Sequence, residues 1–148
     1  MNDRATIAMT PGEAADLLSR CRKVQLATIS RDGTPHLVTM FYAMSDGMIA
    51  FWTYRASQKA RNLARDPRLT CLVEEGEEYF DLRGVQVRGL ARQVADVVGV
   101  GRMISAQLPD LPAVGQDDHL VRAAGKRVAY VVEPLRVTSW DHRKLLGP

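Results

Sequence analysis

The sequence predicts a mainly β fold, an antiparallel barrel of about six strands with helices flanking it. Two tight-turn signals, Arg31-Asp32-Gly33-Thr34-Pro35 and Ser45-Asp46-Gly47, separate short apolar runs. Gly84–Val94 alternates Val85, Val87, Gly89 and Ala91 against Gln86, Arg88, Leu90 and Arg92. A small apolar face opposite a largely polar one belongs to a barrel or sheet strand. Connections that are mostly hairpins favour such a barrel over a doubly wound sheet.

Thr10-Pro11-Gly12-Glu13 opens a helix through about Arg20: Thr10 caps, Pro11 suits the first turn and Glu13 completes a capping box. Val24–Ser30, His36–Met44 and Met48–Thr53 then read as three strands of an antiparallel meander. A short basic helix, Ser57–Asp66, follows, with Ser57 as N-cap, Ala60, Leu63 and Ala64 as its apolar stripe, and Pro67 as its stop. Leu69–Glu74 resumes the sheet and Gly84–Val94 continues it. Ala95–Leu108 reads as a helix ended by Pro109-Asp110-Leu111-Pro112. The segment Asp110–Gly125 reads as a loop and the mobile part of the chain. Arg127–Glu133 and Leu135–Trp140 make a last strand bent at Pro134.

With 148 residues, a single domain over 1–148 is expected, and 46% hydrophobic with 25% charged residues is ordinary for a globular chain. No apolar run approaches the roughly 20 residues that span a bilayer, and no signal-peptide core follows Met1. Cytoplasmic location and no membrane partner are therefore expected. Cys71, inside the apolar run Leu69–Val73, reads as a buried small hydrophobe. The net charge is +3, and Lys23, Lys59, Lys126 and Lys144 are the only lysines among 20 basic residues. The arginines that make up the rest are scattered, without an aromatic-interleaved patch, so no nucleic-acid partner is expected.

The start of the short basic helix is the best candidate site. Lys59 and Asn62 are three apart and share a face near an N-terminus whose free N–H groups and positive dipole suit an anion. Ser57 adds a donor, and a phosphate would sit well there. The same residues equally describe an ordinary amphipathic surface helix with a basic face. Other motifs are weaker. Gly99-Val100-Gly101-Arg102 lacks the third glycine and preceding strand of a dinucleotide loop, and Gly125-Lys126-Arg127 lacks the earlier glycine and the Ser/Thr of a P-loop. His36, His119 and His142 lack metal-ligand spacing, and no metal is expected. Asp141-His142 could form an acid/base pair, but an exposed polar tail explains it as well, and no catalytic side chain is assigned.

A strand ending in Phe51-Trp52-Thr53, then the pattern S-x-K-x-x-N-L at Ser57, Lys59, Asn62 and Leu63, then Asp66-Pro67-Arg68 and a fresh apolar strand, resembles the pyridoxamine-phosphate-oxidase-like flavin and deazaflavin proteins. Val24–Ser30 with its turn, His36–Met44 and Gly84–Val94 match in order. The resemblance runs from about residue 10 to the end and implies a split β-barrel, antiparallel and Greek-key-like. The tail from Thr138 to Leu145 looks like that of the branch using coenzyme F420, a deazaflavin, in place of FMN.

The resemblance implies that the tricyclic ring lies across the backbone of Val38-Thr39-Met40 and Phe51-Trp52-Thr53. The phosphate would lie at Ser57, Lys59 and Asn62. A second subunit of a homodimer would close the site through Gly84–Arg88 and the tail, with Trp140, His142 and Arg143 as contacts. It further implies an F420-binding oxidoreductase that transfers hydride between the reduced deazaflavin and a small organic acceptor. FMN-dependent oxidases or reductases of the same fold, a non-catalytic F420 carrier or sensor, and haem handling are the alternatives. In flavin chemistry the ring carries the electrons, so the lack of a conventional catalytic constellation is compatible with an enzyme.

Overall fold

The computed structural model describes residues 4–110 and 116–147. A short helix α1 (Arg4–Ile7) precedes α2 (Pro11–Arg20), which carries the expected capping box. Thr10 Oγ1 accepts from the Glu13 N–H at 3.2 Å, and Glu13 Oε1 accepts from the Thr10 N–H at 3.2 Å. The strands are β1 (Lys23–Ile29), β2 (Pro35–Phe41), β3 (Ala43–Ser45), β4 (Met48–Tyr54), β5 (Arg68–Glu75), β6 (Arg83–Val94) and β7 (Arg127–Asp141). Helices α3 (Gln58–Arg65), α4 (Val97–Ser105) and α5 (Gln116–Ala124) lie between strands, with 3-10 turns at Tyr79–Asp81 and His142–Leu146.

All pairings are antiparallel, in the order β2-β1-β5-β6-β7-β4-β3, and the sheet curls into a half-barrel. Its inner face is the main core, with Val24, Leu26, Phe51, Cys71, Val73, Val85 and Val132 all nearly inaccessible. Cys71 is the buried small hydrophobe expected, and burial pushes its thiol up to about 12. A second cluster lies outside the curl, where Val100 and Ile104 of α4 pack on Ala43, Ala50, Ala129 and Val131. The small alanines let the helix approach the sheet closely.

The expected strand His36–Met44 is two strands, which raises the count from six to seven. The break is Tyr42, whose N–H donates to Arg22 O at 3.0 Å and whose hydroxyl donates to Leu18 O at 2.6 Å. Buried and tied inward, Tyr42 carries the chain from one end of the sheet to the other. The first three expected strands therefore form no meander: β1 pairs β2, β3 pairs β4, and β2 and β4 stand apart. Asp46 and Gly47, at φ 51° and 78°, give the tight β3–β4 turn a twist that suits a hairpin.

Two further expectations change. The second half of the expected loop Asp110–Gly125 is α5, while residues 111–115 lie outside the described residues. The helix expected over Ala95–Leu108 is shorter, starting where Asp96 Oδ1 accepts from the Gly99 N–H at 2.9 Å. The bend at Pro134 is present: register shifts between Arg88 and Gly89, so that Arg88 faces Arg136 and Gly89 faces Pro134. Leu135 is the extra residue of that bulge.

Candidate functional site

Strand β4 ends at Tyr54, and the Ser57 N–H bonds back to Tyr54 O at 3.0 Å, turning the chain into α3. Ser57 is the N-cap, its Oγ accepting from the Ala60 N–H at 3.2 Å. Buried Thr53 places its hydroxyl 3.2 Å from Ser57 Oγ. Lys59 follows, half-buried, with no hydrogen bond or ion pair among the described residues, and burial lowers its pKa. An ammonium held away from part of its water without a counter-charge is stabilised by any anion that reaches it. Thr53 and Ser57 thus meet at the N-terminus of α3, and Lys59 stands in its first turn, where free N–H groups and the dipole act in the same sense as its charge.

Asn62 takes a different place from the one its spacing suggests. It is fully buried, donating from Nδ2 to Thr28 Oγ1 at 3.0 Å and accepting at Oδ1 from Gln58 Nε2 at 2.8 Å. Its amide bolts α3 onto β1, and it shares no ligand-facing surface with Lys59. Arg65 reinforces the joint by donating to Ile29 O. The buried stripe of α3 is Ala60, Asn62 and Leu63, while Ala64 is exposed. A buried, hydrogen-bonded Asn reads in sequence like a surface polar residue, so the expected stripe of Ala60, Leu63 and Ala64 gives way to Ala60, Asn62 and Leu63.

The two strand segments expected to carry a ring are the edges of the opening in the curled sheet. Strand β2 is terminal in the sheet order, and β4 pairs with β3 only over Met48–Ala50. On that side Val38-Thr39-Met40 and Phe51-Trp52-Thr53 have no strand partner among the described residues. Their backbone N–H and C=O groups on the open edge are available to a ligand. The side chains sort by strand alternation. Val38 and Met40 pack toward the core and Thr39 is exposed. Phe51 is buried against Tyr130, with ring centroids 5.3 Å apart, so it offers a ligand its backbone alone. Trp52 points the other way, onto α4. A Cβ at Gly101 would lie 2.4 Å from the indole ring, so only glycine fits beneath it. The Gly99–Arg102 sequence is thus a packing device.

A cavity of about 1070 Å³ opens beside these groups, lined by Met40, Trp52 and Thr53 from the sheet and by α4 and α5 from above. Ile104, Leu108 and Leu120 make part of the wall apolar.

The tail residues lie elsewhere in the chain. Trp140 covers Gly84, where a Cβ would come within 2.4 Å of the indole. His142 places Nδ1 2.7 Å from Tyr79 O, its ring 4.7 Å from that of Tyr79. Arg143 is bound to Asp141 through Nη2 to Oδ2 at 2.7 Å and Nε to Oδ1 at 3.0 Å. Asp141 is 3% exposed, so the tail is not simply an exposed polar one, and its carboxylate engages Arg143 and not His142. From Arg127, paired with Tyr54, to Trp140 the β7 contour spans roughly 40 Å at about 3.3 Å per residue. Trp140, His142 and Arg143 thus stand at or beyond the far end of β7, and none of their hydrogen bonds or ion pairs among the described residues reaches Ser57 or Lys59.

No group of three or more His, Cys, Asp or Glu side chains suits a metal among the described residues, and no helix of theirs is long and apolar enough to cross a membrane.

A family model described as pyridoxamine 5'-phosphate oxidase matches residues 10–141. No curated protein matches the chain in sequence. Among solved structures, a conserved hypothetical protein from Mycobacterium tuberculosis is 39% identical, covering 100% of this chain and 94% of its own, with a TM-score of 0.89. A protein described as an F420 reductase is 26% identical over 86% of this chain and 98% of its own, with a TM-score of 0.67. A haem storage protein from Vibrio cholerae shares the fold at 15% identity, over 86% of this chain and 92% of its own, with a TM-score of 0.64.

Proposed function

The chain belongs to the pyridoxamine 5'-phosphate oxidase family, and from that premise we propose that it is a homodimeric oxidoreductase that binds coenzyme F420 and transfers hydride to a small organic acceptor. The observation that carries this reading is the pair of open strand edges, Val38–Met40 and Phe51–Thr53, leading to an unpaired, half-buried Lys59. The edges offer backbone groups to a flat heterocycle with many hydrogen-bonding atoms, and the α3 start offers charge to its phosphate. Likeness to the F420 reductase supports the deazaflavin over FMN. Bound F420 would supply a two-electron hydride donor, chemistry the protein's own side chains lack.

The chain's part is to hold and shield. Lys59, Ser57 and Thr53 hold the phosphate, while Asn62 fixes the helix that presents them. Met40 and Trp52 form an apolar wall that excludes water from the reacting face. Trp140, His142 and Arg143, at or beyond the far end of β7, contact the cofactor or acceptor from the second subunit, which makes the dimer part of the site.

Titration with F420 and with FMN, followed by their absorbance, tests the reading. F420 should bind more tightly than FMN. Lys59→Ala should weaken F420 binding by about 1.5–3 kcal/mol, the range for a hydrogen bond to a charged group, and leave the melting temperature without cofactor nearly unchanged. Tighter FMN binding at every ionic strength replaces the deazaflavin with the flavin. Equal binding by the Lys59 variant returns α3 to an ordinary surface helix. Lys144 is engaged by Glu13 in this fold, whereas exposed Arg55 and Arg61 are cations for the carboxylates of an F420 tail.

A further inference from the structure

Arg127, the first residue of β7, stands opposite Tyr54 in the sheet and lines the cavity. Its guanidinium carbon lies 4.1 Å from the Tyr54 ring centroid and 4.8 Å from that of Trp52. Nη1 donates to Ala123 O at 2.9 Å, a carbonyl near the end of α5. No carboxylate pairs with it among the described residues. Two rings and one carbonyl therefore fix this cation, while most of its five N–H donors stay open. The support is itself built: Trp52 holds its position because Gly101 leaves room for the indole.

The surroundings say what such a fork would meet. His119 and Arg122 also line the cavity, and Asp118 is the one carboxylate among its described lining residues. Arg122 is turned onto the Asp118 carbonyl, with Nε to O at 3.4 Å. The apolar wall of Ile104, Leu108 and Leu120 suits a carbon skeleton. A planar guanidinium pinned by stacking presents parallel donors, the geometry that binds a carboxylate in bidentate fashion.

We infer that Arg127 anchors the carboxylate of the acceptor, so that the substrate class is a flat or apolar organic acid. This deepens the proposed function and rests on it, since the acceptor must share the cavity with the cofactor. An anionic group there has two sources, the acceptor or the cofactor's own phosphate and tail, and the test separates them.

The probes are benzoate, its neutral counterpart benzamide, and F420, each titrated into the full chain, the acids and amides by ligand-observed NMR and F420 by absorbance. The parent protein should prefer benzoate over benzamide by about tenfold, the ratio of one well-made charged contact. Arg127→Gln should remove that preference while F420 binds as in the parent. Arg127→Lys keeps the charge without the fork and should keep only part of the preference. It also serves as the test variant if the glutamine form does not fold. A parent without preference, or a preference that survives in both variants, overturns the assignment. Loss of F420 binding in Arg127→Gln, with or without loss of benzoate, gives the cation to the cofactor and overturns it too. Because F420 is titrated separately, failure with benzoate leaves the cofactor reading standing or falling on its own.

Discussion

Strand β7 holds two regions of opposite character on either side of Pro134. Before it, Val128, Ala129, Tyr130, Val131 and Val132 are all buried, alternately into the barrel core and beneath α4. After it, Pro134, Leu135, Arg136 and Val137 are all exposed, with Leu135 at 70% and Val137 at 52%. Both halves pair with β6, interrupted only at the Leu135 bulge, so strand pairing is not the main difference between them. What differs is a cover. The first half has one from its own chain in α4, whereas the second half presents apolar side chains beside Arg88 and Arg136, directly opposed across the strands. Like charges placed opposite each other destabilise a strand pair unless something else meets them. The contrast separates residues that make the fold from residues that the proposed homodimer would cover.

The covered half should be the more sensitive to damage. Phe51 stacks on Tyr130 at 29° between ring planes with no solvent exposure. Phe51→Ala should cost about 3–5 kcal/mol in urea unfolding, the usual loss for deleting a buried ring. A cost below about 1 kcal/mol, within the range of surface changes, would mean that this half is not the anchor of the core.

The uncovered half should respond in assembly and not in folding. Leu135→Asp combined with Val137→Asp puts charge where the proposed homodimer would cover the strand. Obligate interfaces of this kind bury on the order of 2,000 Å² or more, and two carboxylates at such a surface should give monomers in sedimentation. The far-ultraviolet circular dichroism of those monomers should match the parent. A parent that is itself monomeric and binds cofactor tightly would remove the second subunit from the site.

The same contrast shows what the sequence makes legible. Val128–Val132 is a continuous apolar run and reads as a strand buried on both faces, and the split barrel follows from such runs and their turns. Ser57 as the N-cap of α3 and Lys59 in its first turn are legible because both are local features of a helix start. The break at Tyr42 is not, because it depends on Arg22 and Leu18, which only the fold brings near. Asn62 was placed outside for a related reason: its partner Thr28 is 34 positions away. Arg127 had no local signature at all, since its stack on Trp52 and Tyr54 exists only once β7 pairs with β4.

The smallest expected effect concerns the end of β7, where burial returns at Asp141. Its carboxylate accepts from the Arg143 backbone N–H at 3.0 Å and from the guanidinium at 2.7 and 3.0 Å. The Arg143 side-chain contact chiefly holds its pKa below the usual carboxylate value. A carboxyl whose folded pKa lies below its unfolded value of about 3.9 stabilises the protein fully above that value. The contribution is lost as pH falls through the folded pKa. Because half of the Arg143 side chain meets solvent, screening keeps the pair modest. Asp141→Asn should therefore lower stability by about 1 kcal/mol near neutral pH. Glu75, held low by Arg20, gives the parent an acid-side slope of the same sign. That slope is common to parent and variant, so their difference isolates Asp141. The difference should shrink through the acid range and vanish once Asp141 is protonated in both states. A gap that stays constant into acid would show that the shape of the turn at His142, and not the charge of Asp141, stabilises this end of the strand.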